Sequence, residues 1–139
     1  MNKYRYIGFF VSQQEVLRCA LLINGEKRLS RVIEHPHITL AYMPVDANES
    51  LFGQIAEITL VGYANDGMNE GFLVEVSSAC SELDSMLKAV SVPHITVSVS
   101  EDSKAVETAD LNFEPIKPIK INGVFGGFTH NKNVVTEIV

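Results

Sequence analysis

His35-Pro36-His37-Ile38-Thr39-Leu40-Ala41-Tyr42 decides how the rest of the chain is read, because it returns 57 residues later as Pro93-His94-Ile95-Thr96-Val97. In both copies Pro precedes His-Ile-Thr and an aliphatic residue follows. Isoleucine and threonine are β-branched and suit an extended chain, and proline is tolerated at a strand's first residue. Residues two apart in a strand share a face. His37 and Thr39 are therefore expected to point one way, with Ile38 and Leu40 pointing the other. His94 and Thr96 repeat this, backed by Ile95, Val97 and Val99. Each strand is expected to expose one imidazole and one hydroxyl while its aliphatic residues enter the core.

Outward from the first copy, Tyr4 to Val11 reads as a central strand. Ser12 can cap a helix from Gln13 to Ile23, with Val16, Leu17, Ala20 and Leu21 as its apolar stripe, ended by Asn24-Gly25. A basic loop with Lys27, Arg28 and Arg31 leads into the motif strand, His37 to Met43. Pro44 to Ser50 is turn-like, with a helical turn around Leu51. Glu57 to Ala64 and Gly71 to Ser77 form a hairpin about Asn65-Asp66-Gly67-Met68-Asn69. A helix from Ser81 to Val90 presents Leu83, Met86, Leu87 and Val90 to the core, and Pro93 opens the second motif strand, ending near Ser100. Glu101 to Glu114 is acidic and polar, with a short helix capped by Ser103. Ile119 to Phe128 resumes as a strand, and His130-Asn131-Lys132-Asn133 turns it into a last one, Val134 to Val139. The motif is the only internal echo noted. Strand, helix, strand, run twice, predicts one α+β domain over residues 1–139 made of two similar lobes.

Composition bounds the partners. A chain of 139 residues with 46% hydrophobic and 20% charged residues has globular rather than disordered composition. The apolar run Ile7 to Val11 is too short for a signal-peptide core, and no segment approaches membrane-spanning length. A cytoplasmic protein with no membrane partner is expected, monomeric by default. Without an export signal the sequon Asn48-Glu49-Ser50 carries no weight. Cys19 and Cys80, both in predicted helices, are expected to be buried free thiols. The net charge is −6, and eleven Lys and Arg are scattered among seventeen acids, so no basic stripe for a long duplex is visible. Lys27, Arg28 and Arg31 could hold the phosphate of a small nucleotide or a strand end.

Imidazole can give and take a proton near neutrality. Displacement at a phosphodiester needs a base on the entering oxygen and an acid on the leaving one. Two histidines facing across a phosphate supply both, each contributing roughly 10²–10⁴-fold. Hydroxyls such as Thr39 and Thr96 can stabilise charge on the non-bridging oxygens, and no metal or other cofactor is required. One His-x-Thr on a strand carries almost no information, because either residue is common there as packing or solvated surface. Two copies in equivalent settings carry much more. A metal alternative uses His35 beside His37 as a His-x-His pair, with His94 third. Pro36 and the lack of a well-placed Asp or Glu weigh against it. His130 is read as a solvated turn residue.

The paired His37-Ile38-Thr39-Leu40-Ala41-Tyr42 and His94-Ile95-Thr96-Val97 resemble the signature of the 2H phosphoesterases. They look most like the cyclic phosphodiesterase domain of fungal tRNA ligases. The 2′-5′ RNA ligase-like proteins and phage enzymes that degrade cyclic oligonucleotides are also similar, and the likeness covers most of the chain. It implies a bilobal fold of two pseudo-symmetric antiparallel sheets with flanking helices, the motif strands facing across a central groove. It implies His37 and His94 as the acid/base pair, either one the base, and Thr39 and Thr96 as phosphate ligands. The spacing between motifs is shorter than is usual in the family, and there is no dense arginine cluster beyond Arg28 and Arg31. Candidates for substrate contact are Tyr4 or Tyr6, Tyr42, and Phe125 or Phe128 as stacking rings, each taken singly more often a core residue, with Arg28 and Arg31. The expected activity is metal-independent hydrolysis of a cyclic phosphodiester: a 2′,3′-cyclic phosphate of a nucleotide or RNA end, or a cyclic di- or trinucleotide messenger. The alternatives are a 2′-5′ RNA ligase-like enzyme and a nucleotide-binding module without catalysis.

Overall fold

Two α-helices and eight strands make up the chain in a computed structural model that describes residues 3–26 and 28–137. They run β1 (Tyr4–Phe10), α1 (Gln13–Asn24), β2 (Arg31–Val32), β3 (His37–Tyr42), β4 (Ile55–Asn65), β5 (Asn69–Ser78), α2 (Ser81–Lys88), β6 (His94–Val99), β7 (Glu114–Thr129) and β8 (Val134–Val135). Short 3₁₀ segments, Glu49–Leu51 and Ala105–Asp110, follow β3 and β6. Ser12 starts α1 by accepting the Glu15 backbone N–H at 3.3 Å. Gly25, at φ +63°, ends it with its N–H on the Leu21 carbonyl.

The domain is α+β, and its strands form one open antiparallel sheet in the order β2-β6-β5-β4-β7-β1-β3, with β8 beside β7. Two sheets were expected. One ladder forms because β4 pairs along its length with both β5 and β7, joining the halves. Near Leu60 and Gly62 the register of β4 shifts against both neighbours, an irregularity of the kind that bends strands. Although four strands lie between β3 and β6 along the sheet, Cα atoms of the two approach within 8 Å. The open sheet therefore curls so that β3, at one end, comes beside β6, one strand in from the other. Its core includes Ile7, Phe9, Ile38, Ile58, Leu60, Phe72, Ile95 and Phe125, joined by Val16 and Ala20 of α1 and Leu83 and Leu87 of α2. No helix among the described residues is long and apolar enough to cross a membrane.

Several boundaries depart from expectation. β1 lies one strand from the sheet end, not at its centre. β2 falls in the expected basic loop, two residues being too few for a periodic signal; Ser98 and Val99 pair with it. β7 begins at Glu114, since Pro115 and Pro118 hide its start from a pattern search while β4 still pairs with it there. Ser103 does not cap the helix after β6; Lys104 takes that position, and no side chain supplies a cap bond. The last strand stops at Val135, and residues 138–139 lie outside the described residues. Cys19 is buried in α1, whereas Cys80 is half-buried just before α2; both thiols are free.

The two motif strands are seated alike. Gly8, Phe9 and Phe10 of β1 face Thr39, Ile38 and His37, while Gly71, Phe72 and Leu73 of β5 face Thr96, Ile95 and His94. The register slips just before each glycine. A Cβ on Gly8 would collide with the Ile38 carbonyl, and one on Gly71 with the Ile95 carbonyl, so only glycine permits either approach. Val11 donates its N–H to the Pro36 carbonyl at 3.0 Å, as Val74 does to Pro93 at 3.1 Å. A second echo thus accompanies the first: Gly8-Phe9-Phe10-Val11 and Gly71-Phe72-Leu73-Val74. The motif is not the only repeat.

Candidate active site

His37 and Thr39 from β3 and His94 and Thr96 from β6 all line one groove of about 720 Å³. Each proline disfavours helical backbone at the residue before it. In each copy that residue's carbonyl meets the histidine: His37 Nδ1 lies 2.9 Å from the His35 carbonyl, and His94 Nδ1 2.8 Å from that of Val92. A carbonyl can only accept, so Nδ1 carries the proton in both rings. Nε2 is left in each as the ring nitrogen with no hydrogen bond among the described residues. The two copies hold the same tautomer by the same device.

Aromatic rings furnish the β3 side. Tyr6 stacks on His37 with centroids 4.3 Å apart, and on its other flank lies Phe128 at 5.0 Å. Phe10 lies 5.7 Å from the His37 ring. Burial among these rings lowers the His37 pKa to about 4, outweighing the carbonyl bond that raises it; the neighbouring His94 and His35 lower it further. His37 is thus neutral at pH 7. The Tyr6 hydroxyl, also pushed upward by burial, stays protonated.

The threonines differ. Thr39 is half-buried and its hydroxyl makes no hydrogen bond among the described residues. Thr96 is buried, its Oγ1 2.9 Å from Thr108 Oγ1 and 3.1 Å from the Ala105 carbonyl. Both neighbours belong to the 3₁₀ segment Ala105–Asp110. The expectation that Thr96 sits on an exposed face is corrected: this segment covers β6, and Gly71 gives its Thr108 methyl room.

Four cations, Arg5, Arg31, Lys104 and Lys132, line the groove against one carboxylate, Glu34. In a chain of net charge −6 this is a local reversal of sign. Arg31 is fixed by donating to the Ser103 carbonyl at 2.7 Å and that of Ser100 at 3.2 Å. Arg5, Lys104 and Lys132 come from three distant stretches, and no spacing in the sequence links them. Only Arg31 was singled out beforehand.

Of the other candidates, Tyr6, Tyr42 and Phe128 line the groove, as does His35. Tyr4 does not: it is 1% exposed, donates its hydroxyl to Glu49 at 2.8 Å and packs edge-on against Phe52. Phe125 is wholly buried between Phe9 and Phe52. Arg28 turns inward to pair with Glu70, a fully buried carboxylate that demands a cation and also accepts the Ser98 hydroxyl at 2.7 Å. Lys27 lies outside the described residues. His130 is exposed in the turn after β7. Among the described residues no three His, Cys, Asp or Glu side chains converge so as to hold a metal ion.

No protein-family model matches the chain, and no curated protein matches it.

Proposed function

We propose that this chain is a 2H-type phosphoesterase that hydrolyses a cyclic phosphodiester by two-histidine acid/base catalysis. The observation that carries it is the pair of Nδ1-anchored imidazoles on one cation-lined groove. The two regions flanking that groove, β2-β6-β5 and β7-β1-β3, act as the two lobes. With a 2′,3′-cyclic phosphate bound, His37 Nε2 takes the proton of an attacking water as its oxygen bonds to phosphorus. To act as the acid His94 enters the reaction as the imidazolium, its Nδ1–H on the Val92 carbonyl, and its Nε2 gives a proton to the ribose oxygen whose P–O bond breaks; a phosphomonoester results. Desolvation favours the neutral ring at His37, so the base role falls there. Charge on the substrate raises its basicity toward neutrality on binding. Thr39 and Thr96 donate to the non-bridging oxygens, where charge accumulates.

Four cations are more than one phosphate needs, which favours a second substrate: a cyclic di- or trinucleotide messenger, cut after attack by its own 2′-hydroxyl. The same chemistry reversed would join RNA ends, and a groove that held nucleotides intact would make the chain a binding module. The proposal includes action as a cytoplasmic monomer on a small nucleotide or RNA end. Incubation with 2′,3′-cyclic mononucleotides and cyclic dinucleotides in EDTA, products resolved by chromatography, tests it. Turnover in EDTA is expected. Loss with chelator and recovery with zinc would replace it by a metallohydrolase, a longer oligonucleotide product by a ligase, and recovery of intact ligand from a stable complex by a binding module.

A further inference from the structure

Thr96 heads a chain of hydrogen bonds that runs away from the groove into the protein. Behind it stands Thr108, fully buried, whose Oγ1 receives the side-chain amide of Asn69 at 3.1 Å. The orientation of that amide is set by its surroundings. Its Nδ2 also faces the Lys104 carbonyl at 2.9 Å, and its Oδ1 faces the Ser103 hydroxyl. Asn69 is itself 2% exposed, so these are fixed partners. Thr108 therefore accepts from Asn69 and must place its own proton on something. The 2.9 Å contact with Thr96 Oγ1 can carry a proton either way. Were Thr96 the donor, the buried Thr108 proton would have no acceptor among the described residues, whereas donation by Thr108 leaves the Thr96 proton for the Ala105 carbonyl.

That fixes the direction of the chain: Asn69 to Thr108, Thr108 to Thr96. With a lone pair of Thr96 occupied by Thr108, the Thr96 proton has two places to go. One is the Ala105 carbonyl at 3.1 Å, and the other is a phosphate oxygen in the groove. Were the direction reversed, Thr96 would turn lone pairs toward an anionic oxygen and repel it. Donation in series also polarises each hydroxyl in turn. Among the described residues Thr39 has no such support.

We propose that Thr108 is a positioning residue: oriented by Asn69, it fixes Thr96 as a hydrogen-bond donor to the bound phosphate. This rests on the phosphoesterase assignment. The test is a double-substitution cycle on kcat and KM with whichever cyclic phosphodiester the wild-type protein turns over. Thr96→Val is expected to lower kcat by about 10²-fold. Thr108→Val is expected to lower it by about tenfold with KM little changed, the share of one hydrogen bond. Thr108→Ser should restore most of that loss, and Thr108→Val should add nothing in a Thr96→Val background. Additive losses, an unchanged Thr108→Val, or no rescue by serine overturns the inference while leaving the enzyme assignment intact. A wild-type protein inert toward every substrate overturns both. If Thr108→Val does not fold, proton NMR of the unmodified protein with inorganic phosphate decides. The Thr96 hydroxyl resonance should shift more than that of Thr108; a shift at Thr108 as large or larger, or no shift in either, refutes the proposal.

Discussion

β3 and β6 carry the same four-residue phrase, sit opposite the same Gly-Phe pair and pin their histidines by the same carbonyl, yet their surroundings diverge. On β3 the histidine is crowded by Tyr6 and Phe10 while the threonine stands open. On β6 the threonine is covered by Ala105–Asp110 and hydrogen-bonded. The lesson is that repetition of backbone and motif sets where two chemical groups point, while the packing around them sets what each can do. Desolvation keeps one ring neutral and a buried network engages one hydroxyl; under the proposal the first becomes the proton acceptor and the second a directed donor. In the assignment argued above, the two halves share a substrate but not a task.

The hardest test of that division is to remove the rings. His37→Ala and His94→Ala should each cost roughly 10²–10⁴-fold in kcat, with the circular dichroism spectrum and melting transition retained. Together they should cost far less than the product of the two, because half a proton relay does little. A full product of effects would separate the histidines into independent roles.

The threonines sharpen the contrast. Thr39→Val and Thr96→Val should both lower kcat by about 10²-fold as donors to the phosphate are lost. Only Thr96→Val should also lower thermal stability, by about 1–3 kcal/mol, because it strands the buried Thr108 hydroxyl. Equal melting temperatures for the two variants would erase the distinction between the copies.

Stability against pH probes the same difference at the histidines. In the folded state the His37 pKa lies near 4, below the 6.5 of an unperturbed ring, so acid favours proton uptake by the unfolded chain first. The contribution is present above pH 6.5 and is lost as pH falls through about 4, amounting to about 3 kcal/mol at most. Urea unfolding of wild type and His37→Gln across this window should show a slope that the variant lacks. A slope surviving the substitution would move its origin elsewhere.

The smallest effect concerns the cations. Arg5→Ala and Lys132→Ala should raise KM a few-fold at low salt, and the difference should shrink at 0.5 M salt as screening removes it. A change in kcat with KM constant would place these side chains nearer the reacting phosphate than a steering role allows.

Much of this was legible in the residues. The aromatic and aliphatic run Tyr4–Phe10, the Ser12 cap, the Asn65–Asn69 hairpin and both motif strands follow local rules that act over a few residues. Those rules offered Tyr4 or Tyr6, and Phe125 or Phe128, as substrate-facing rings and did not decide between them. A strand pattern says that neighbours alternate in facing but not which face the core will claim. Tyr4 and Phe125 went inward, Tyr6 and Phe128 onto the groove. Arg28 looked like a phosphate ligand because nothing near it in the chain announces Glu70, its buried partner.

The sequence by itself determined the repeated unit: a glycine that permits close approach, a proline that places a carbonyl, and a His-x-Thr that shares one strand face. These are properties of the backbone and its nearest neighbours, and they hold wherever the strands are put. Tertiary structure alone decided that one sheet curls until β3 and β6 meet, and that Arg5, Arg31, Lys104 and Lys132 gather beside them in an acidic chain. It also decided that Thr108 comes to rest behind Thr96. Contacts between residues far apart in sequence depend on the global closure of the sheet, and burial, which sets proton affinity at His37, exists only once that closure is complete.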